Sequence, residues 1–355
     1  MLPSSSFVRG VDLTWQGDGQ AGPPSGVGSA VREPAYLALY RSGALAARVE
    51  AARASLLDCR LCGWACGIDR HVELGPCRTG AEAAVATAYL HFGEEAPLVA
   101  GGGSGAIFFS HCDLRCQFCQ TARWNIKGEG HRLNPDQLAG IMLDLQGRGA
   151  ININLVTPTH VMPQILDALL IAVEGGLRLP LVWNSGGYDS LAALRLLDGI
   201  VDIYLPDMKY SDPDLARRMS GIRNYPAINR QAVLEINRQV GGLVVNQSGQ
   251  AVRGLVVRHL VMPGHHENTR GVLDWLAANL GPDTYLSLMD QYRPAYRAFS
   301  RQDIGRPISA EEYIRAREYA VSVGLVRLDD GLTLDYPSSA LSAGKNGSHA
   351  SDQGS

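Results

Sequence analysis

Seven cysteines fall into two groups with none left over. Cys112, Cys116 and Cys119 form a C-x3-C-x2-C run, and Cys59, Cys62, Cys66 and Cys77 form an earlier C-x2-C-x3-C-x10-C cluster. At such spacings, in a chain whose N-terminus has no apolar signal-peptide core, thiols are expected to bind metal rather than to pair as disulfides. Four thiolates can close around zinc or around an iron–sulfur cluster. Gly63, Gly67 and Gly75 suit a tight ligand loop of that kind. Three thiolates leave a site open. A four-iron cluster held by three cysteines has one iron free for a substrate or cosubstrate, whereas zinc held by three would need a fourth ligand, which His111 could offer.

These residues need a frame. Continuous apolar runs predict strands at 106–110, 151–157, 180–184, 201–205, 254–261 and 284–289. Helices are expected between them: one entered through Asn134-Pro135, a cap followed by proline at the first helical position, and others at 163–174, 189–198, 226–240 and 269–279. A last helix, 309–323, opens with Ser309 and Glu312 in capping-box spacing. Buried strands alternating with helices predict an α/β fold with a parallel sheet, either a partial barrel or doubly wound. In both, chemistry sits at the C-terminal ends of strands, and the three-cysteine run follows the first strand at that end. Residues 1–33 and 336–355, rich in Gly, Pro and Ser, are expected to be disordered. Between them lie a segment at 34–100, with a helix at 35–57 leading into the four cysteines, and a core at 101–325.

Composition narrows the field. With 46% hydrophobic residues the chain can build a large core, and a net charge of −3 gives no basic footprint for nucleic acid or anionic membrane. No run of 18 apolar residues is present, so no membrane span is expected. The thiol chemistry predicts a reducing cytoplasm. Lysine occurs only at Lys127, Lys209 and Lys345, which draws attention to Lys209.

The segment GGGSGAIFFSHCDLRCQFCQ, with Phe118 just before the last cysteine, resembles the signature loop of the radical SAM superfamily. HFGEEAPLVAGGGSGAIFFS, LVTPTHVMPQIL, VWNSGGY, DIYLPDMKY, RHLVMPG and LSLMDQYRP are similar to the branch that includes pyruvate formate-lyase-activating enzymes. The resemblance implies a partial (β/α)6 TIM-like barrel of the radical SAM type, here with an N-terminal cysteine-rich metal-binding extension. It implies that Cys112, Cys116 and Cys119 hold a [4Fe-4S] cluster whose open iron is chelated by S-adenosyl-L-methionine. Reductive cleavage of that cosubstrate would release a 5′-deoxyadenosyl radical that takes a hydrogen atom from the substrate. A flavodoxin- or ferredoxin-type electron donor is implied as partner.

The same resemblance places the cosubstrate. Asn184, Ser185 and Gly186 are expected at its methionine end. Lys209 would face its carboxylate, and Asp207 would face a monovalent cation. Arg258 and Gln291 complete the set, Gln291 with Tyr292 at the adenosine end; for Arg258 a structural ion pair is the alternative. The family's Gly-Gly-Glu turn after the second strand is replaced by Thr157-Pro158-Thr159-His160, so the amino-group contact is left open. His160 is read as a pocket residue, a structural histidine or a substrate contact, and His265-His266 as polar loop rather than a metal pair. The four early cysteines are expected to hold an auxiliary [4Fe-4S] cluster or zinc.

Three functions follow: activation of a protein by a glycyl radical, radical epimerisation or oxidation of a sugar or other small molecule, or a non-enzymatic iron–sulfur or zinc scaffold. A radical epimerase needs a hydrogen donor. With every thiol consumed by the two sites, Tyr188 and Tyr292 are the candidates, unless one early cysteine is free.

Overall fold

A computed structural model describes residues 33–329. The expectations on 1–33 and 336–355 lie outside that range, Glu33 excepted. In chain order the strands are β1 (Ala83–His91), β2 (Ser104–Phe109), β3 (His131–Leu133), β4 (Asn152–Val156), β5 (Leu181–Asn184), β6 (Ile203–Tyr204), β7 (Val244–Val245), β8 (Ala251–Leu260) and β9 (Tyr285–Met289). The helices are α1 (Tyr36–Arg41), α2 (Ala44–Ala54), α3 (Ala96–Val99), α4 (Ala122–Asn125), α5 (Pro135–Gly147), α6 (Met162–Glu174), α7 (Leu191–Leu197), α8 (Pro213–Ser220), α9 (Tyr225–Val240), α10 (His266–Asn279) and α11 (Ala310–Ser322).

All six anticipated strands form, as β2, β4, β5, β6, β8 and β9, and each pairs in parallel with the next in that order. The result is a mixed α/β fold around a sheet that does not close on itself among the described residues. The expected caps are present: Asn134 and Gln137 form a capping box on α5, and Ser309 and Glu312 do so on α11. Helix α6 buries Met162, Ile165, Leu166, Leu169 and Val173 against α2 and α5. Each such side chain contributes about 1.5–3 kcal/mol, so Leu169→Ala would cost about 2–5 kcal/mol.

Of the departures from expectation, which include β3, β7, α4 and α8, three bear on the site. The helix predicted at 35–57 is two helices, because Gly43 takes a left-handed φ of 77° between them. An unanticipated strand, β1, pairs antiparallel with β2 and joins the N-terminal segment to the core sheet. The connection from β1 to β2 then folds across one face of the sheet. Its short helix α3 inserts Leu98 into a small cluster with Val182, Ile203, Leu205 and Val256. Asn152 fixes this plug by donating to the Leu98 carbonyl at 2.8 Å while accepting from Ser104 at 2.6 Å. Glu94 and Glu95 are thereby carried beneath the C-terminal strand ends. No helix among the described residues is long and apolar enough to cross a membrane.

Candidate functional site

The C-terminal ends of the parallel strands surround a cavity of about 450 Å³. The three-cysteine run enters it directly from β2. His111, at φ 69°, turns the chain out of the strand, and its N–H donates to the Trp124 carbonyl at 3.0 Å. The loop is held further by Gln117 N–H on the Met219 carbonyl at 2.7 Å. Cys112, Cys116 and Cys119 all line the cavity. The Cys112 sulfur accepts from Leu114 N–H at 3.3 Å, and that of Cys116 from the Ser220 hydroxyl at 3.0 Å. Burial, reinforced by Asp113, pushes the Cys112 thiol far up. Burial also pushes Cys116 up to about 11, with Lys209 pulling against it. Three soft donors on one wall, two of them receiving hydrogen bonds at sulfur, are the donor set an iron–sulfur cluster uses. All seven cysteines are free thiols. Among the described residues no three His, Cys, Asp or Glu side chains close around a single ion-sized point.

The anticipated polar residues share this cavity. Asn184, Ser185, Gly186, Asp207, Lys209, Arg258 and Gln291 line the same cavity. Lys209 Nζ meets Asp207 Oδ2 at 2.5 Å. Burial would lower the lysine, but Asp207 and the thiols of Cys116 and Cys112 outweigh it and hold the ammonium protonated. Asp207 is set by strand continuation: its N–H donates to the Ser185 carbonyl at 3.0 Å, and Met208 N–H to that of Arg258 at 2.7 Å. The approach is so close at Gly187 (φ 71°) that a Cβ there would lie 2.1 Å from the Asp207 carbonyl oxygen. The Ser185 hydroxyl is committed to Asp189 at 2.6 Å.

The floor was not anticipated. Arg258 Nε meets Glu95 at 3.1 Å, and Nη1 meets Glu94 at 3.7 Å and the Asn184 amide oxygen at 3.5 Å. Arg258 is therefore both an ion pair and a cavity residue. Burial opposes its charge, but Glu95 and Glu94 hold it above the ordinary guanidinium range. Burial pushes Glu94 up, yet His91 at 3.3 Å and Arg258 reverse this and hold its carboxyl below the usual range. For Glu95 burial prevails over Arg258 and raises it. Beside Glu94 stands an aromatic wall: Tyr89 stacks on Phe108 with centroids 5.5 Å apart, and Phe108 meets Trp124 at 5.4 Å.

Several sequence candidates lie elsewhere. Tyr188 and Tyr292 do not line the cavity. Their hydroxyls donate inside the protein, to Asn224 Oδ1 at 2.7 Å and to the Ile304 carbonyl at 2.7 Å. His160 is buried with Nε2 on the Ser110 carbonyl at 2.9 Å, and burial lowers it to about 3, so it is a neutral structural histidine. His111 faces a second cavity of about 320 Å³ rather than the cysteines. His265 lies near Asp303, while His266 is not in a loop but is the first residue of α10 and packs edge-on to Tyr319. Thr157 does line the cavity, at a strained φ of 61°.

The four-cysteine segment is seated against the loops after β2 and β5. Cys62 pairs with Asp189 in an isolated antiparallel backbone β-bridge, in which Gly63 N–H donates to the Tyr188 carbonyl at 2.9 Å and Ser190 N–H to that of Leu61 at 3.1 Å. A Cβ on Gly63 would lie 2.5 Å from the Tyr188 ring. Cys59, Cys62 and Cys77 are buried and Cys66 is partly exposed. Burial raises the thiols of Cys62, Cys66 and Cys77. The segment is braced by Arg70, whose buried guanidinium donates to the carbonyls of Thr79, His160 and Gly80 at 3.0, 2.6 and 2.7 Å.

The chain is 32% identical over 291 residues to Uncharacterized protein MJ0674 of Methanocaldococcus jannaschii, a match covering 78% of each chain. It belongs to the MJ0674 family. No protein-family model matches the sequence. Among solved structures it is similar to Streptococcus suis SuiB bound to precursor peptide SuiA, with 15% identity and a TM-score of 0.42 over 60% of this chain. SuiB bound to S-adenosylmethionine gives 14% and 0.42. The chain spans less than half the length of these SuiB chains, 43% and 45%. A likeness of that degree transfers neither ligand to this member of the MJ0674 family. Within the MJ0674-family chain, the residues that sequence reasoning missed are Glu94, Glu95, His91, Tyr89 and Trp124. The one available signal was the adjacent Glu94-Glu95 pair inside an otherwise apolar stretch.

Proposed function

We propose that this protein is a radical SAM enzyme of the branch similar to pyruvate formate-lyase-activating enzymes. Its sheet is then a partial (β/α)6 barrel, and the six parallel strands in chain order support that reading. The observation that carries the proposal is the meeting of Cys112, Cys116 and Cys119 in one cavity with Asn184, Asp207, Lys209, Arg258 and Gln291. Bound there, a [4Fe-4S] cluster and S-adenosyl-L-methionine supply a 5′-deoxyadenosyl radical by one-electron reductive cleavage.

The protein's own residues bind and orient. Lys209 presents a fixed ammonium for the cosubstrate carboxylate, with Asp207 balancing it and available to a monovalent cation. Asn184 and the Gly186 backbone flank the methionine end, Gln291 the adenosine end, and Thr157 the place of the amino-group contact. Leu114 N–H and the Ser220 hydroxyl, already aimed at two sulfurs, stabilise thiolate charge. The experiment is anaerobic reconstitution with iron and sulfide, then dithionite and S-adenosyl-L-methionine. Formation of 5′-deoxyadenosine is expected; its absence from a protein with a filled three-cysteine site would refute the proposal.

For the substrate, a small molecule with a ring is favoured by the aromatic wall that lines the cavity. Deuterium passing from a labelled small molecule into 5′-deoxyadenosine would support this reading, whereas a glycyl-radical spectrum on a partner protein would overturn it.

A further inference from the structure

We propose that the four-cysteine segment holds a second iron–sulfur cluster that exchanges single electrons with the three-cysteine site through Trp64 and the Cys112–Asp113 peptide. The inference rests on the reading of the three-cysteine site as a cluster site. The structural basis is a short bonded route. Trp64 lies between Cys62 and Cys66 in the chain, and its indole N–H donates to the Asp113 carbonyl at 2.7 Å. Asp113 is the residue next to Cys112, and its Oδ1 lies 3.5 Å from the Cys112 sulfur. A ligand of one site is thus joined to a ligand of the other by backbone bonds and one hydrogen bond.

The surroundings hold this route in place. Asp113 is buried, with 2% of its surface exposed. The Trp64 ring packs edge-on against Tyr188, with centroids 6.5 Å apart. The Cys62–Asp189 bridge and the Gly63 and Ser190 bonds fix the backbone on either side. A zinc staple needs only to tie its own loop together. This segment instead reaches with an aromatic ring to the loop that carries the other thiols. Zinc has one accessible oxidation state and could not use such a route.

The electron count is simple. The reduced four-cysteine cluster gives up one electron and the three-cysteine cluster accepts one. A low-potential one-electron protein carrier, flavin or iron–sulfur, restores the first.

The test uses the full chain, reconstituted anaerobically with iron and sulfide and reduced with dithionite. About eight irons are expected per chain, two four-iron clusters. Low-temperature electron paramagnetic resonance should show a spectrum broadened by interaction between two reduced clusters. Cys59→Ala with Cys62→Ala should lose half the iron and that broadening, leaving the sharp signal of a single cluster. Trp64→Phe keeps the ring and removes the donor; it should retain both clusters but slow electron transfer between them after flash photoreduction. Zinc at the four-cysteine site, two clusters without interaction, or an unchanged transfer rate in Trp64→Phe would each overturn the inference. S-adenosyl-L-methionine cleavage with zinc in that site would sink this inference alone. Two interacting clusters without cleavage would sink the functional proposal alone.

Discussion

Arg258 can be replaced by methionine, which keeps the length and apolar stem of the side chain but removes its charge. Two carboxylates are then left under the cavity without their counter-ion. In the folded protein the side chains of Arg258, Glu94 and Glu95 are only 18%, 6% and 4% exposed, with contacts at 3.7 and 3.1 Å. At an effective dielectric of about 20, each contact is worth about 4–5 kcal/mol of gross attraction, most of it offset by desolvation. Breaking a buried pair on one side costs about 3–5 kcal/mol, which in a chain of this size lowers the melting temperature by about 10 °C.

The sign of the pH dependence follows from the same carboxylates. Without Arg258 both titrate above their unfolded values in the folded protein. The folded state then binds more protons, so stability falls as pH rises through that window. The deficit measured by calorimetry should be larger at about pH 8 than at about pH 5. Arg258→Met combined with Glu94→Gln and Glu95→Gln should recover most of the loss, since a charge-free site has nothing left to compensate. A melting temperature within about 2 °C of the parent, or a deficit that does not change with pH, would refute the reasoning.

Alanine at Cys112, Cys116 or Cys119 should each abolish 5′-deoxyadenosine formation, and cleavage surviving in all three would refute the cluster assignment. Gly63→Ala should cost about 1–3 kcal/mol by overpacking, because its Cβ would sit 2.5 Å from the Tyr188 ring; Tyr188→Leu in the same chain should recover part of the loss in urea unfolding. Burial lowers His160 to about 3 and His259 to about 4, so the stability they confer is full above about pH 6.5 and is lost as pH falls toward those values. His160→Gln should therefore flatten the acid limb of the stability curve by up to about 1.4 kcal/mol per pH unit, and an unchanged slope would show that the histidine is not held neutral.

The parallel strands were legible because strands buried on both faces need continuous apolar runs, as in 151–157 and 254–261, and because Asn134-Pro135 and Ser309/Glu312 carry local capping chemistry. The three-cysteine run was legible as a spacing, whereas Asp207 and Lys209 were singled out only through the family resemblance. Strand β1 was not: AAVATAYLH is small and weakly patterned, and it is a strand through its pairing with β2. The Glu94 and Glu95 partnership with Arg258 was equally hidden, since it depends on the plug between β1 and β2 crossing the sheet. For Tyr188 and Tyr292 the sequence places a residue near a strand end without saying which way its hydroxyl points.

The seat of the four-cysteine segment is built from Tyr188, Asp189 and Ser190, residues far downstream of the thiols they receive. A chain synthesised from its N-terminus exposes Cys59 to Cys77 early, before β5 exists to dock them. Assembly must run sheet first and segment second. The thiols that leave the ribosome first are therefore among the last to be shielded, and they pass through synthesis open to oxidation and to whichever metal reaches them.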